Sequence, residues 1–407
     1  MSELKTIYDR KLKLELPPGQ SAFLWGVRQS GKSTYLKTHF PDSYYINLLK
    51  TDLFVLYSKS PNLFREHIQA LSTELKSRPI IIDEIQKVPL LLDEVHYLIE
   101  SESLSFILCG SSARKLKRSG VNLLGGRAWK FEFYPLTFAE IPDFDLAKAL
   151  SHGLLPPHYD NTHFKRAIRA YISEYIKEEI QAASLVRNLP AFSRFLDAVG
   201  FNQGGIVTYA NIASDVGVDA KTVKEYFQIL VDTLLGIEIP PYQKKIRREI
   251  LSKSPKFYLC DVGVANALAN QTLHLSHNET LQGEAAGHAF EHFILMELVA
   301  YRGLHEKDFP ITYWRTKAGL EVDFILGRGE VAIEVKLSME VRARDLNGLF
   351  AFVEEHQPRR ALVISQDLLP RILTGPEGQE ILIIPWRDFL TRLWDPEQCL
   401  ALIGDLN

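Results

Sequence analysis

Cysteine is scarce in this chain: Cys109, Cys260 and Cys399 are the three among 407 residues. An odd number at such distances makes neither a disulfide framework nor a metal knuckle. Cys109 and Cys260 sit in apolar runs, as core thiols do, and a reducing compartment is the expectation. Charge of one sign is also lacking. Lys and Arg number 47 against 50 Asp and Glu, a formal net charge of −3. Attachment to nucleic acid or anionic membrane through overall charge is therefore excluded, and any such contact has to come from local patches. No apolar run approaches the ~18 residues of a membrane-spanning helix. The N-terminal stretch has no apolar leader segment. These absences lead us to expect a cytoplasmic protein with no membrane partner. Internal repeats and low-complexity tracts are missing too. Hydrophobic residues make up 46%, ample for folded cores, and the length suggests about two to four domains.

The most informative stretch is Gly26-Val27-Arg28-Gln29-Ser30-Gly31-Lys32-Ser33. It fits G-x-x-x-x-G-K-[ST], a phosphate-binding loop. Ala22–Trp25 before it reads as a buried strand, and Thr34 to Lys37 after it opens a helix. In that setting backbone N–H groups and the positive helix end point at phosphates. Gly26 and Gly31 allow close approach of the backbone, Lys32 reaches the β- and γ-phosphates, and Ser33 holds Mg²⁺. ATP and Mg²⁺ are the expected cofactors, with Gly26 to Thr34 as the nucleotide-binding residues.

Tyr44 to Leu48 reads as a second strand, followed by helical pattern to about Leu75. Pro79 to Gln86 is an apolar run ending in acids, as in a buried parallel strand that delivers carboxylates at its C-terminal end. Asp83 would hold Mg²⁺, and Glu84 would act as general base on the attacking water. A further buried strand, Ser105 to Gly110, ends in Ser111 and Ser112. Ser111 either positions the water or caps a helix. Leu12, Leu14 and Leu16 alternate with polar residues, as in a short half-buried strand. Arg10 reads as a solvated arginine, with contact to nucleotide the alternative.

Phe138 to about Pro157 reads as loop, and residues 163–200 as helical. Residues 206–243 look like a winged helix: Thr208 caps one helix, Gly217 turns the chain, and Asp219 caps a second helix with Val223, Phe227 and Leu230 inward. Lys221 and Lys224 would face a DNA groove. Lys244, Lys245, Arg247 and Arg248 form a basic cluster suited to phosphate contacts. Later, Leu320 to Leu326 and Val331 to Leu337 read as two strands joined at Gly327–Glu330. That register sets Asp323 opposite Glu334 and puts Glu334 and Lys336 on the same face. A divalent cation between the two carboxylates would relieve their repulsion, with Glu291 as a further ligand. The alternative pairs Lys336 with Glu321. The D…E-x-K arrangement resembles the PD-(D/E)xK nuclease core.

The set G-x-x-x-x-G-K-S, I-I-I-D-E-I-Q-K-V-P, C-G-S-S, G-G-R and Y-P-L-T-F-A-E-I resembles a family of bacterial and archaeal ATPases. These pair an N-terminal AAA+-type domain with a C-terminal domain of unassigned function. The resemblance runs on through Tyr171–Ile176, Lys256–Gly263 and Glu321 to Lys336, and so covers nearly the whole chain. It departs at Lys177-Glu178-Glu179, where many members have Arg-Asp. It implies an α/β protein: an AAA+ P-loop parallel sheet with a helical lid, a winged helix, and a C-terminal nuclease-like domain. The expected spans are 1–145, 146–200, 201–255 and 256–407. Arg127 matches the arginine that AAA+ proteins place before the fifth strand and aim at the neighbouring subunit's site. This implies a homo-oligomer, a hexameric ring. The implied function is ATP-driven work on DNA, with a nuclease-like domain that grips or cuts it. The alternatives are a regulatory ATPase switch on an inert scaffold, and a nuclease gated by ATP.

Overall fold

Five short apolar runs form a parallel sheet: β1 (Ser21–Trp25), β2 (Tyr45–Asn47), β3 (Ile80–Asp83), β4 (Phe106–Gly110) and β5 (Ala128–Glu132), in the order β2-β3-β4-β1-β5. The structure, a computed structural model, describes residues 6–111, 124–176, 188–243, 254–275, 281–375 and 378–406. It divides into two units. One comprises Arg10–Leu136 with Gln228–Leu235; the other comprises Met1–Asp9, Thr137–Phe227 and Gly236–Asn407.

In the first unit, β1, β3 and β4 are buried along their whole length, as parallel strands covered on both faces are. Asp83 pairs in register with Cys109, and Trp25 with Gly110. The C-terminal ends of β1, β3 and β4 therefore open on the same edge of the sheet. Helix α1 (Lys32–His39) follows β1. Helix α2 (Leu91–Glu102) buries Leu91, Leu92, Val95, Leu98 and Ile99 in the core with Phe23, Ile82 and Leu108.

The lead-in differs from the expectation. Leu12 and Leu14 are buried and their neighbours exposed, but the segment is not a strand. The Tyr35 hydroxyl donates to the Leu12 carbonyl at 3.0 Å and accepts from the Leu14 N–H at 3.3 Å, taking groups a ladder would use. Arg10 is not solvated. Its guanidinium donates to the carbonyls of Ser30 (2.6 Å) and Tyr134 (2.7 Å) and lies 4.1 Å from the centre of the Phe133 ring.

In the second unit, the stretch read as loop contains the helix Leu146–His152. Asp145 caps it by accepting from the Lys148 N–H, and Gly153 (φ 79°) ends it. A helix Phe164–Ala170 runs into a π-helical turn, Tyr171–Ile176. Helix α3 (Leu189–Phe201) comes next, then α4 (Tyr209–Val216), α5 (Ala220–Asp232), and the antiparallel pair β6 (Gly236–Ile239) and β7 (Lys256–Leu259). Gly217 ends α4 in the left-handed region, and Asp219 caps α5 at 2.9 Å from the Thr222 N–H. Thr208 stands at the start of α4, but its side chain makes no capping bond.

Helix α6 (Val262–Leu268), a two-residue pair β8 (His274–Leu275) and β9 (Leu281–Gln282), and the long buried helix α7 (Glu284–Leu304) lead to a six-stranded mixed sheet. Its strands are β10 (Ile311–Arg315), β11 (Glu321–Leu326), β12 (Val331–Lys336), β13 (Arg360–Ser365), β14 (Arg371–Thr374) and β15 (Glu380–Pro385), ordered β10-β11-β12-β13-β15-β14. Leu326 pairs with Val331, Ile325 with Ala332, and Phe324 with Ile333. That is the register a four-residue loop at Gly327–Glu330 demands.

Candidate active site

The loop Gly26–Gly31 joins β1 to α1 at the open edge of the first sheet. Gln29 (φ 63°) and Gly31 (φ 104°) take left-handed backbone, which curls the loop around its own N–H groups. The Ser30 hydroxyl closes it internally, donating to the Val27 carbonyl at 2.8 Å. Val27 and Ser30 are buried, Arg28 and Ser33 half-buried, and Gln29 and Thr34 exposed. Gly26 is needed for a reason other than phosphate approach: a Cβ there would lie 2.3 Å from the Phe133 carbonyl oxygen. Lys32 is buried, and its Nζ donates to the carbonyls of Gly26 (2.6 Å) and Val27 (2.8 Å). Burial pulls its pKa down, against the nearby acids Glu84 and Asp83.

Asp83 ends β3 beside α1. Its Oδ2 accepts from the Ser33 hydroxyl at 2.8 Å and from the Tyr45 hydroxyl at 2.5 Å. Its Oδ1 is buried and makes no hydrogen bond. Burial, then the Asp83 charge, pushes the Tyr45 phenol up, and the same two causes push up the Cys109 thiol. Glu84 is buried in left-handed backbone (φ 62°, ψ 41°), uncommon for a residue with a Cβ. The Gln86 Nε2 donates to Glu84 Oε2 and, at 3.1 Å, to Ser111 Oγ. Lys32, Ser33, Asp83, Glu84 and Ser111 thus meet at one edge of one sheet. Gln86 belongs with them; it lay inside a quoted motif, but nothing local marked its role.

Residues 19–142 match the model of a family described as an AAA domain. The match supports an AAA-type ATPase. Residues 143–275 match a domain of unknown function (DUF8612), and residues 286–375 another (DUF4143). The chain is 27% identical over 179 residues to the uncharacterized protein MJ1544 of Methanocaldococcus jannaschii, covering 42% of this chain. The match spans 37% of that relative's length.

Arg127, a candidate for completing a neighbour's site, bonds through Nε to Glu100 of its own chain and is partly exposed. That bond holds the Glu100 carboxyl below its usual value. Lys221 and Lys224 are exposed on α5. Lys244, Lys245, Arg247 and Arg248 lie outside the described residues.

A second group of charges lies in the other unit, around β7, α7, β11 and β12. Asp323 and Glu334 are buried. Asp323 Oδ2 accepts from the Val335 N–H at 2.8 Å, and Lys336 Nζ lies 2.6 Å from Glu334 Oε1. Lys336 therefore bonds to Glu334, and Glu321 bonds to Lys256 (2.6 Å) and Arg315 (3.0 Å). Lys256, on β7, is itself buried and also reaches Glu291 Oε1 at 3.3 Å, where the Tyr258 hydroxyl donates at 2.5 Å.

Burial, then Glu334 and Glu291, pushes the Asp323 carboxyl well above its usual value. Burial raises Glu334 as well, against the pull of Lys336. Burial would raise Glu291, but Lys256 and Tyr258 outweigh it and hold it low. The carboxylate repulsion foreseen for a metal to relieve is met here by two ammonium groups, and burial pushes the Asp323 and Glu334 carboxyls up. Among the described residues no group of three or more His, Cys, Asp or Glu is arranged to hold a metal ion. One atom, Glu334 Oε2, is buried with no hydrogen bond. As folded, this donor set does not fit a divalent cation.

Proposed function

We propose that the chain hydrolyses ATP with Mg²⁺ at the edge of the parallel sheet, and that turnover drives work on DNA. The observation that carries hydrolysis is the unbonded Asp83 Oδ1, buried beside Ser33 at the start of α1. An orphaned buried oxygen costs roughly 1–3 kcal/mol, which a ligand removes. Asp83 and Ser33 would hold Mg²⁺, which when bound neutralises phosphate charge. The N–H groups of the curled loop and of the α1 N-terminus bind phosphate oxygens. Lys32 exchanges its two carbonyl partners for them. Glu84 takes the proton of the attacking water, and Ser111 orients it. Lys32→Ala should abolish ATP binding. Glu84→Gln should keep binding and lower turnover by about two to four decades; normal turnover in that variant refutes the assignment.

The helix pair α4–α5 with the antiparallel β6–β7 supports a winged-helix reading, with Lys221 and Lys224 on the exposed side of α5. In the ring we propose, Arg127 leaves Glu100 for a neighbour's site. Turnover measured with duplex, branched and single-stranded DNA tests the DNA reading; no stimulation by any of them removes it. The pairing of Lys256 and Lys336 with carboxylates favours a second reading: an ATP-driven regulatory switch whose last domain is a scaffold.

A further inference from the structure

We propose that Gln86 is a positioning residue of the hydrolytic site, its carboxamide holding the Glu84 carboxylate and the Ser111 hydroxyl in one fixed arrangement. The inference rests on the ATPase reading above. Gln86 lies in the single helical turn Ile85–Lys87 after β3 and is 2% exposed. A glutamine is seldom buried so fully without being well bonded.

Its bonding is one-sided. Nε2 has two hydrogens and gives one to Glu84 Oε2 and one to Ser111 Oγ. Oε1 is buried and makes no hydrogen bond. Leaving that acceptor unpaired costs roughly 1–3 kcal/mol. A Met or Leu of similar size would fill the same space without that cost, so stability alone does not account for an amide here.

The surroundings are built to admit it. A Cβ on Gly110 would lie 2.3 Å from Gln86 Oε1 and 2.7 Å from the Trp25 ring. Gly110 is thus the opening in β4 through which the amide reaches Ser111. Glu84 occupies a backbone region that costs a residue with a Cβ roughly 1–2 kcal/mol, and such conformations persist only where neighbours fix them. By engaging Oε2, Gln86 sets the direction of Oε1 and ties it to the hydroxyl on the next strand. General-base catalysis depends on such alignment, and a misplacement of about 1 Å costs on the order of a hundredfold.

The test is steady-state ATP hydrolysis by the full chain carrying Gln86→Met, which keeps volume and removes both donors. kcat should fall roughly ten- to a hundredfold, with KM for ATP and binding of a fluorescent ATP analogue unchanged. Gln86→Leu, which removes both donors and adds no charge, should lose as much, and covers the case in which the Met variant does not fold. Gln86→Met combined with Ser111→Ala should lose no more than the worse single variant, because the two act as one unit. An unchanged kcat in Gln86→Met, or losses that multiply in the double variant, overturns the proposal while the wild type still hydrolyses ATP. A wild type without ATPase activity overturns the ATPase reading, and Gln86 falls with it.

Discussion

Lys256→Met removes a cation from a densely charged buried region. The ammonium sits 2.6 Å from Glu321 Oε1 and 3.3 Å from Glu291 Oε1. Breaking a buried pair by deleting one partner costs about 3–5 kcal/mol, because a charge stays buried without compensation. Both acids keep another partner, Tyr258 for Glu291 and Arg315 for Glu321, which points to the lower end, about 3 kcal/mol. The loss should depend on pH. Lys256 holds Glu291 below its usual value, so the stability it supplies is present above the unfolded pKa and is lost as pH falls through the lower folded one. The gap between wild type and variant should be widest near neutrality and close in acid. Thermal and urea melts across that range measure it. With the ammonium gone, Mn²⁺ should stabilise the variant and leave the wild type unmoved. Equal stability of the two proteins would refute the reasoning. So would a wild-type melt raised by Mn²⁺ in a manner that Asp323→Ala abolishes; that would make the cluster a metal site.

Glu297 accepts from the Phe138 N–H (2.8 Å) and the Trp394 indole (2.7 Å), and burial pushes its carboxyl from 4.5 up to about 8. A raised acid favours the fold below its unfolded pKa, so stability should fall as pH rises from about 4.5 to about 8. The fall is at most roughly 5 kcal/mol, and Glu297→Gln should flatten it in melts against pH. Mixing Arg127→Ala protein with Lys32→Ala protein should restore part of the turnover if Arg127 serves a neighbour. No recovery would leave it in its own subunit with Glu100. Replacing Lys221 and Lys224 together by alanine should weaken duplex binding at all sequences and reduce the salt slope by about two; an unchanged slope would move the contact elsewhere.

The strand, curled loop and helix around Gly26–Ser33 were legible because the motif's eight contiguous residues are bounded by an apolar run and a helix. The hairpin Glu321–Lys336 was legible because loop length fixes register. Alternating burial at Leu12 and Leu14 was readable, but the absence of a ladder was not. It depends on the Tyr35 hydroxyl, which comes from α1. Gln86 escaped because its reason for being polar lies at the end of β4 and just beyond it, in the missing Cβ of Gly110 and the hydroxyl of Ser111. Lys256 escaped for the same kind of reason: its partners come from α7 and β11. The helix Leu146–His152 is marked by Asp145 and Gly153 as start and stop signals, but Pro142, Pro156 and Pro157 around it, with Gly153 itself, read as loop.

The two buried lysine sites differ in what it takes to open them. Lys32 gives its hydrogen bonds to two neutral carbonyls of its own loop. Each is worth about 1.5–3 kcal/mol net, the donor being an ammonium, and burial already disfavours its charge. Phosphate oxygens would replace such partners with a gain, since they set a negative charge against the ammonium where a carbonyl offers only a dipole. Lys256 faces carboxylates, which hold it charged well above its usual pKa against burial. To release it, an incoming cation must overcome a pair whose breaking costs about 3–5 kcal/mol before it gains a ligand. An unbonded Asp83 Oδ1 stands at the first site, ready for a ligand that brings positive charge. At the second, burial and the neighbouring Glu334 and Glu291 push the Asp323 carboxyl well above its usual value, which disfavours its charged form. On these energies the first site would exchange partners during the proposed cycle, and the second would stay closed.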